Sequence, residues 1–213
     1  MKIIEVKNLS LPDVKVIKFA RFGDERGYFT ETFRRSDFQK IIPDFTILQV
    51  NESFSAIKGV VRGLHLQWNP YMGKLVRTIK GHMVDLFLDI RKGSPTYGKI
   101  AAYDMPESSQ NDFSEWIWVP VGFAHGNYFL EETMIEYFCT GEYAPANEAG
   151  ILPTAKDLDW SLCDSALKKQ FDEVVKNGTT LSEKDKKNLT LTDWGNDPRS
   201  DNFIYSPNTP RPR

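Results

Sequence analysis

The chain has 213 residues, 40% of them hydrophobic and 26% charged, which fits one sizeable globular core and excludes disordered, collagen-like and fibrous classes. Twenty-seven Lys and Arg stand against 29 Asp and Glu, a net charge of -2 that gives no basic excess for binding nucleic acid. No apolar run approaches the ~18 to 20 residues that span a bilayer, and Lys and Glu interrupt the apolar stretches at the start, so no membrane partner is expected and the setting is read as cytoplasmic.

In chain order, strand-length apolar or alternating runs cover 2–6, 14–19, 28–33, 46–50, 60–66, 75–79, 83–90, 99–103, 116–119, 127–130 and 134–139. Turn residues separate them, among them Gly23-Asp24, Gly59, Pro70, Gly81, Gly93-Ser94-Pro95 and Pro120-Val121-Gly122. This spacing predicts an antiparallel β-domain over 2–144, a sandwich or small barrel. Helical patterning is sparse before Asp164, after which Leu167, Phe171, Val174 and Val175 fall at helical offsets and Gly178 marks a C-terminal cap. Residues 1–195 read as one domain, with 196–213 a Pro-rich tail draped on the surface or on a partner subunit.

Cys139 and Cys163 lie far apart, which suits a reducing compartment and reads as two small hydrophobes. Two of the three histidines sit beside glycines on strand-like segments, Arg62-Gly63-Leu64-His65-Leu66-Gln67 and Gly122-Phe123-Ala124-His125-Gly126. Alternation puts His65 and Gln67 opposite Leu64 and Leu66, whereas Arg62 joins the leucine face unless a bulge intervenes. The plain reading is a pair of satisfied core imidazoles, and His82 reads as a turn residue. A metal site is the rival, but no His-x-His pair exists, because Gln67 stands where a second ligand would be needed. Acid–base chemistry is a third reading. The chain offers His65 as base, Asp185 as its orienting carboxylate, Tyr137 as acid, and Lys74 or His125 to meet a developing oxyanion. Near the start, Asp24-Glu25-Arg26-Gly27-Tyr28-Phe29-Thr30-Glu31 is either a charged turn or a phosphate- and base-binding segment.

Together these segments resemble the dTDP-4-dehydrorhamnose 3,5-epimerase family, metal-free relatives of the cupins. The likeness rests on residues 23–31, Gln49-Val50-Asn51-Glu52-Ser53, 59–67 with Gly73-Lys74-Leu75-Val76-Arg77, 120–126, Glu142-Tyr143-Ala144-Pro145 with Glu148 and Gly150-Ile151-Leu152, and Leu181-Ser182-Glu183-Lys184-Asp185. It implies an all-β jelly-roll, cupin-like barrel with a short C-terminal helical segment. It also implies a homodimer formed through amino-terminal strands, and a nucleotide-diphospho-4-keto sugar bound in the barrel mouth without cofactor or metal. By resemblance His65 is the base, Asp185 its dyad partner, Tyr137 the proton donor, and Lys74 and His125 the contacts of the keto region. Gln49, Asn51, Arg62 and Lys184 match sugar and pyrophosphate contacts, and Glu148 a further ligand contact. Arg26, Phe29 and Glu31 match the segment that meets the nucleotide in a neighbouring subunit's site. The implied activity is inversion at C3, C5 or both in the synthesis of a rare sugar for a surface polysaccharide. Single-centre inversion, 3,4-ketoisomerisation and a non-catalytic sugar-nucleotide binding module are the alternatives.

Overall fold

The structure, a computed structural model, describes residues 1–206. Six strands form one antiparallel sheet in the order β1 (Ile3–Asn8), β2 (Lys15–Ala20), β10 (Phe113–Val119), β7 (Lys74–Lys80), β12 (Thr133–Cys139), β5 (Gln49–Ser55). Five form a second, in the order β13 (Glu148–Gly150), β6 (Val61–Gln67), β11 (Phe123–Phe129), β8 (His82–Asp89), β9 (Ile100–Pro106). A hairpin, β3 (Phe22–Asp24) and β4 (Gly27–Phe29), stands apart from both. Helices α1 (Arg35–Ile41), α2 (Ser165–Lys176) and α3 (Leu191–Asn196) and three short 3₁₀ turns make up the other elements of the described residues. The two sheets enclose a jelly-roll interior, as the all-β reading anticipates.

Strand β8 shows why both faces of the second sheet are apolar. Met83 and Phe87 point into the space between the sheets with Val16, Val76, Ile117 and Phe129. Val84, Leu86 and Leu88 point outward, where Phe171 and Val174 of α2, Trp194 of α3 and Phe203 cover them. The first sheet is covered likewise: Phe19, Leu75, Trp116 and Trp118 pack under Phe38 of α1, Ile42 and Phe45. Helix α2 begins directly after Asp164, where the helical offsets start, and Asp164 caps it by accepting from the Ala166 and Leu167 N–H groups.

Three expectations need correcting. Helix α1 falls in a stretch read as lacking helix, because only Phe38 among its seven residues is buried and so short an element shows no apolar period. The strand read over 28–33 ends at Phe29. His82 opens β8 instead of sitting in the turn, with Nε2 2.5 Å from Asp104 Oδ1. The Pro-rich segment, as far as it is described, is anchored to this chain: a 3₁₀ turn spans Pro198–Asn202, Phe203 is buried, and Ile204 bridges to Lys92. Pro207, Pro210 and Pro212 of the proposed tail lie outside the described residues. Among the described residues no helix is long and apolar enough to cross a membrane.

Candidate active site

The interior is apolar toward one end and polar toward the other, and the polar end opens as a cavity. Four inward-facing residues form its middle: His65 of β6 and His125 of β11 from one sheet, Lys74 of β7 and Tyr137 of β12 from the other. On one side of this layer a volume of about 330 Å³ is lined by Gln49, Asn51, Gln67, Cys139, Tyr143 and Glu148. On the other side a volume of about 440 Å³ is lined by Ser53, Arg62, Asn127, Ile135, Ser182 and Asp185.

A bulge in β6 brings Arg62 into the cavity. His65 pairs with His125 and Arg62 with Asn127, so three steps along β6 match two along β11. The extra residue turns Arg62 to the His65 face while Val61, Leu64 and Leu66 remain in the outer core. Gly63 makes this possible: its φ is +93°, and a Cβ there would lie 2.6 Å from the His125 carbonyl oxygen. Arg62 is held by the Ser55 hydroxyl and the Phe54 carbonyl, to which it donates at 3.2 and 3.1 Å.

Asp185 arrives from the segment after α2 and meets His65 Nε2 at 2.6 Å. Burial pushes its carboxyl up, but the His65 hydrogen bond and charge, the Ser182 hydroxyl and the Gly63 N–H together hold it below the usual carboxylate range. Across the cavity, His125 Nε2 lies 2.7 Å from Asp85 Oδ1. Asp85 is fully buried, and that burial pushes its carboxyl up despite the imidazole beside it. Burial likewise pulls the Lys74 ammonium down, against the pull of Cys139, Asp85 and Glu148. Tyr137 is pushed up, chiefly by burial, and so keeps its proton at neutral pH. Neither Lys74 nor Tyr137 makes a side-chain hydrogen bond among the described residues, so both polar groups are available to a ligand.

The rim carries its own network. The Gln49 amide donates to Asn51 Oδ1 at 2.9 Å and accepts from the Tyr143 N–H at 2.8 Å. Asn51 donates to Cys139 Sγ at 3.6 Å, so this thiol, read as a plain hydrophobe, forms part of the cavity wall. Glu148 accepts from the Tyr143 hydroxyl at 2.6 Å and pairs with Lys184, which also lines both volumes. The Gln67 amide donates to the Pro70 and Glu142 carbonyls and accepts from the Ala144 N–H, which spends it on bracing two loops. Among the described residues no three His, Cys, Asp or Glu side chains converge as a metal would require.

Ten of the thirteen predicted site residues thus meet at one cavity: His65, Lys74, Tyr137, Asp185, Gln49, Asn51, Arg62, His125, Glu148 and Lys184. Arg26, Phe29 and Glu31 do not line it. They lie on or just after the β3–β4 hairpin, where Arg26 pairs with Asp24 at 2.5 Å and Phe29 is 70% exposed. Glu31 is held down to about 2 by Arg34 and the terminal amine. Two residues unremarked in the sequence belong to the site: Asp85 and Asn127. Asp85 was legible as an acid inside the otherwise apolar run Met83-Val84-Asp85-Leu86-Phe87, and Asn127 as a polar residue two positions past His125.

A jelly roll whose interior carries two imidazole–carboxylate pairs, an unpaired lysine and an unpaired tyrosine defines a class: barrels built for proton transfer on a small bound molecule. Comparison with known proteins specifies it. Residues 8–193 match the family model for dTDP-4-dehydrorhamnose 3,5-epimerase. The chain is 44% identical over 147 residues to the dTDP-4-dehydrorhamnose 3,5-epimerase of Sinorhizobium fredii, covering 68% of this chain and 73% of that one. It is 37% identical over 210 residues to the enzyme of that name from Neisseria gonorrhoeae, covering 97% of this chain and 62% of that one. A crystal structure of the dTDP-6-deoxy-D-glucose-3,5-epimerase of Legionella pneumophila, in complex with dTDP-4-keto-L-rhamnose, superposes with a TM-score of 0.76 at 31% identity, covering 95% of this chain and 98% of that one. The chain belongs to the dTDP-4-dehydrorhamnose 3,5-epimerase family.

Proposed function

We propose that this chain inverts the carbons flanking the keto group of a nucleotide-diphospho-4-keto-6-deoxy sugar, with a thymidine nucleotide as carrier, as in its relatives. The observation that carries the reading is the placing of His65 and Tyr137 on opposite sheets, so that a sugar ring between them meets a base on one face and an acid on the other.

A 4-keto group acidifies the C–H bonds at C3 and C5. Neutral His65 removes one of these protons, and ionised Asp185 stabilises the imidazolium that results. The electron pair moves onto the carbonyl oxygen. Lys74 and His125 meet that oxygen from two sheets, and exclusion of water strengthens both contacts. Tyr137 then gives its hydroxyl proton to the other face of the same carbon, completing inversion. The resulting phenolate recovers a proton from solvent, and the His65 imidazolium releases one to it, before the next turnover. Gln49, Asn51, Arg62, Glu148 and Lys184 hold the sugar and diphosphate at the two ends of the cavity.

A second copy of this chain completes the site in this reading. Ile4 and Val6 of the edge strand β1 are 55% and 43% exposed, and the neighbouring hairpin offers Phe22, Tyr28 and Phe29 to solvent. Pairing along β1 would cover them and carry Arg26, Phe29 and Glu31 to the partner's nucleotide. Light scattering that reports a dimer supports this; a monomer of full activity removes it. Free thiols at Cys139 and Cys163 suit the reducing cytoplasm.

The test is exchange in deuterium oxide on a dTDP-4-keto-6-deoxy sugar, with the product trapped by a 4-ketoreductase and read by NMR. Deuterium at C3 and C5, reduced about 10²- to 10⁴-fold in His65→Ala, is expected. Unchanged exchange in the variant removes His65 as base, and no exchange in the native chain removes the epimerase reading.

A further inference from the structure

Asn127 follows His125 by two residues on β11 and shares its inward face, yet the chemistry above gives it no task. It is 4% exposed and lines the inner volume with Ser53, Arg62 and His125. Two buried oxygens in this part of the molecule lack a hydrogen-bond partner: Asn127 Oδ1 and Asp85 Oδ2. Their residues are direct partners in the β8–β11 register, so both side chains stand on one face with Cβ atoms about 4.5–5.5 Å apart. Unmet buried acceptors are costly, and a half-turn of the Asn127 amide relieves both. Its NH₂ group then donates to Asp85 Oδ2, and its carbonyl oxygen faces the cavity. Asp85 in this arrangement spends one oxygen on His125 and the other on Asn127, tethering two neighbouring cavity residues at once.

We propose that Asn127 is a specificity residue whose amide oxygen accepts a hydrogen bond from the C3 hydroxyl or amino group of the 4-keto sugar. This rests on the epimerase reading. With the keto oxygen at Lys74 and His125, the next inward position along β11 faces a substituent on a ring carbon adjoining C4. C5 of a 6-deoxy sugar carries a methyl group, which has no proton to donate; C3 carries a hydroxyl. An acceptor held in a water-excluded wall favours a sugar with that donor and is left unpaired by one without it, the situation in which polar sites discriminate most strongly. Asn127 therefore holds the C3 substituent during deprotonation at the carbon that bears it.

Exchange in deuterium oxide, run on the 3-hydroxy substrate and on its 3-deoxy analogue, tests the assignment. The enzymes compared are native chain, Asn127→Leu, which keeps the volume and deletes the acceptor, and Asn127→Ser, which disturbs packing less should the leucine variant fail to fold. On the 3-hydroxy substrate Asn127→Leu is expected to lower kcat/KM about 10- to 100-fold, with deuterium at C3 falling relative to C5. On the 3-deoxy analogue native and variant enzymes should differ little, and Asn127→Ser should show the same pattern in weaker form. An equal loss on both substrates, or an unchanged C3-to-C5 ratio, overturns the proposal while leaving the epimerase reading intact. A native enzyme that exchanges neither carbon of the 3-hydroxy sugar overturns both.

Discussion

His65–Asp185 and His125–Asp85 share one cavity at nearly the same separation, 2.6 and 2.7 Å, but the two pairs are built in different ways. The first spans 120 positions of sequence, joining a strand to a late segment, and leaves the His65 side chain 32% exposed. The second joins adjacent strands of one sheet, with side chains 8% and 0% exposed. Asp185 receives an O–H and an N–H besides the imidazole and is held below its ordinary range; Asp85 is walled off from water and is pushed above it. Distance alone does not set the protonation of a carboxylate; the donors and water around it do. The first pair is suited to carrying charge through a reaction. The second is suited to holding an imidazole in place.

Exchanging each carboxylate for its amide separates these roles. Asp185→Asn should cost most, about 10²- to 10⁴-fold in kcat for exchange at both carbons, because a neutral amide does not stabilise the imidazolium formed at His65. Asp85→Asn should cost about tenfold, what one hydrogen bond of about 1.4 kcal/mol is worth, and deuterium incorporation by NMR measures both. Equal losses would erase the distinction between the pairs. The smallest effect is on stability, and it has opposite signs. A carboxyl held down in the folded state contributes stability above the unfolded value of about 3.9, and that contribution is lost as pH falls through the folded value. Asp185→Asn should therefore melt below the native protein at pH 7, with the gap closing in acid. A carboxyl held up contributes below about 3.9 and loses that contribution as pH rises through its folded value. The native protein should accordingly lose ground to Asp85→Asn as pH rises, and melting curves from pH 3 to 8 check both slopes.

The same contrast divides what could be read from the sequence. Strands β6, β7, β8 and β12 declare themselves through apolar alternation and bounding glycines, and His65 stands out as the imidazole opposite two leucines. Arg62 does not, because period-two counting puts it on the wrong face and only the bulge at Gly63 corrects it. Asp185 lies in a polar stretch with no period, so the resemblance identified it and spacing did not. Asp85 stands inside an apolar run, where alternation alone does not say whether an acid on a strand faces solvent or the interior. Recognising it requires knowing that β8 is an interior strand of its sheet and covered on both faces. Helix α1 was silent for a related reason: its single buried residue, Phe38, acquires meaning only beside Phe45 and Trp116.

Asp185 enters the cavity only after all thirteen strands of the described residues have preceded it in the chain. During synthesis the jelly roll can therefore assemble around an incomplete dyad, with His65 present and its carboxylate still in the ribosome. The β-domain supplies the container and most of the binding groups, and the docking of one late segment switches on the base. Competence for proton transfer thus depends on a segment that emerges after the whole β-domain. Asp185→Ala, which leaves Lys184 and the covering residues Trp194 and Phe203 in place, should still bind its ligand while failing to turn it over, and so act as a competitor for substrate.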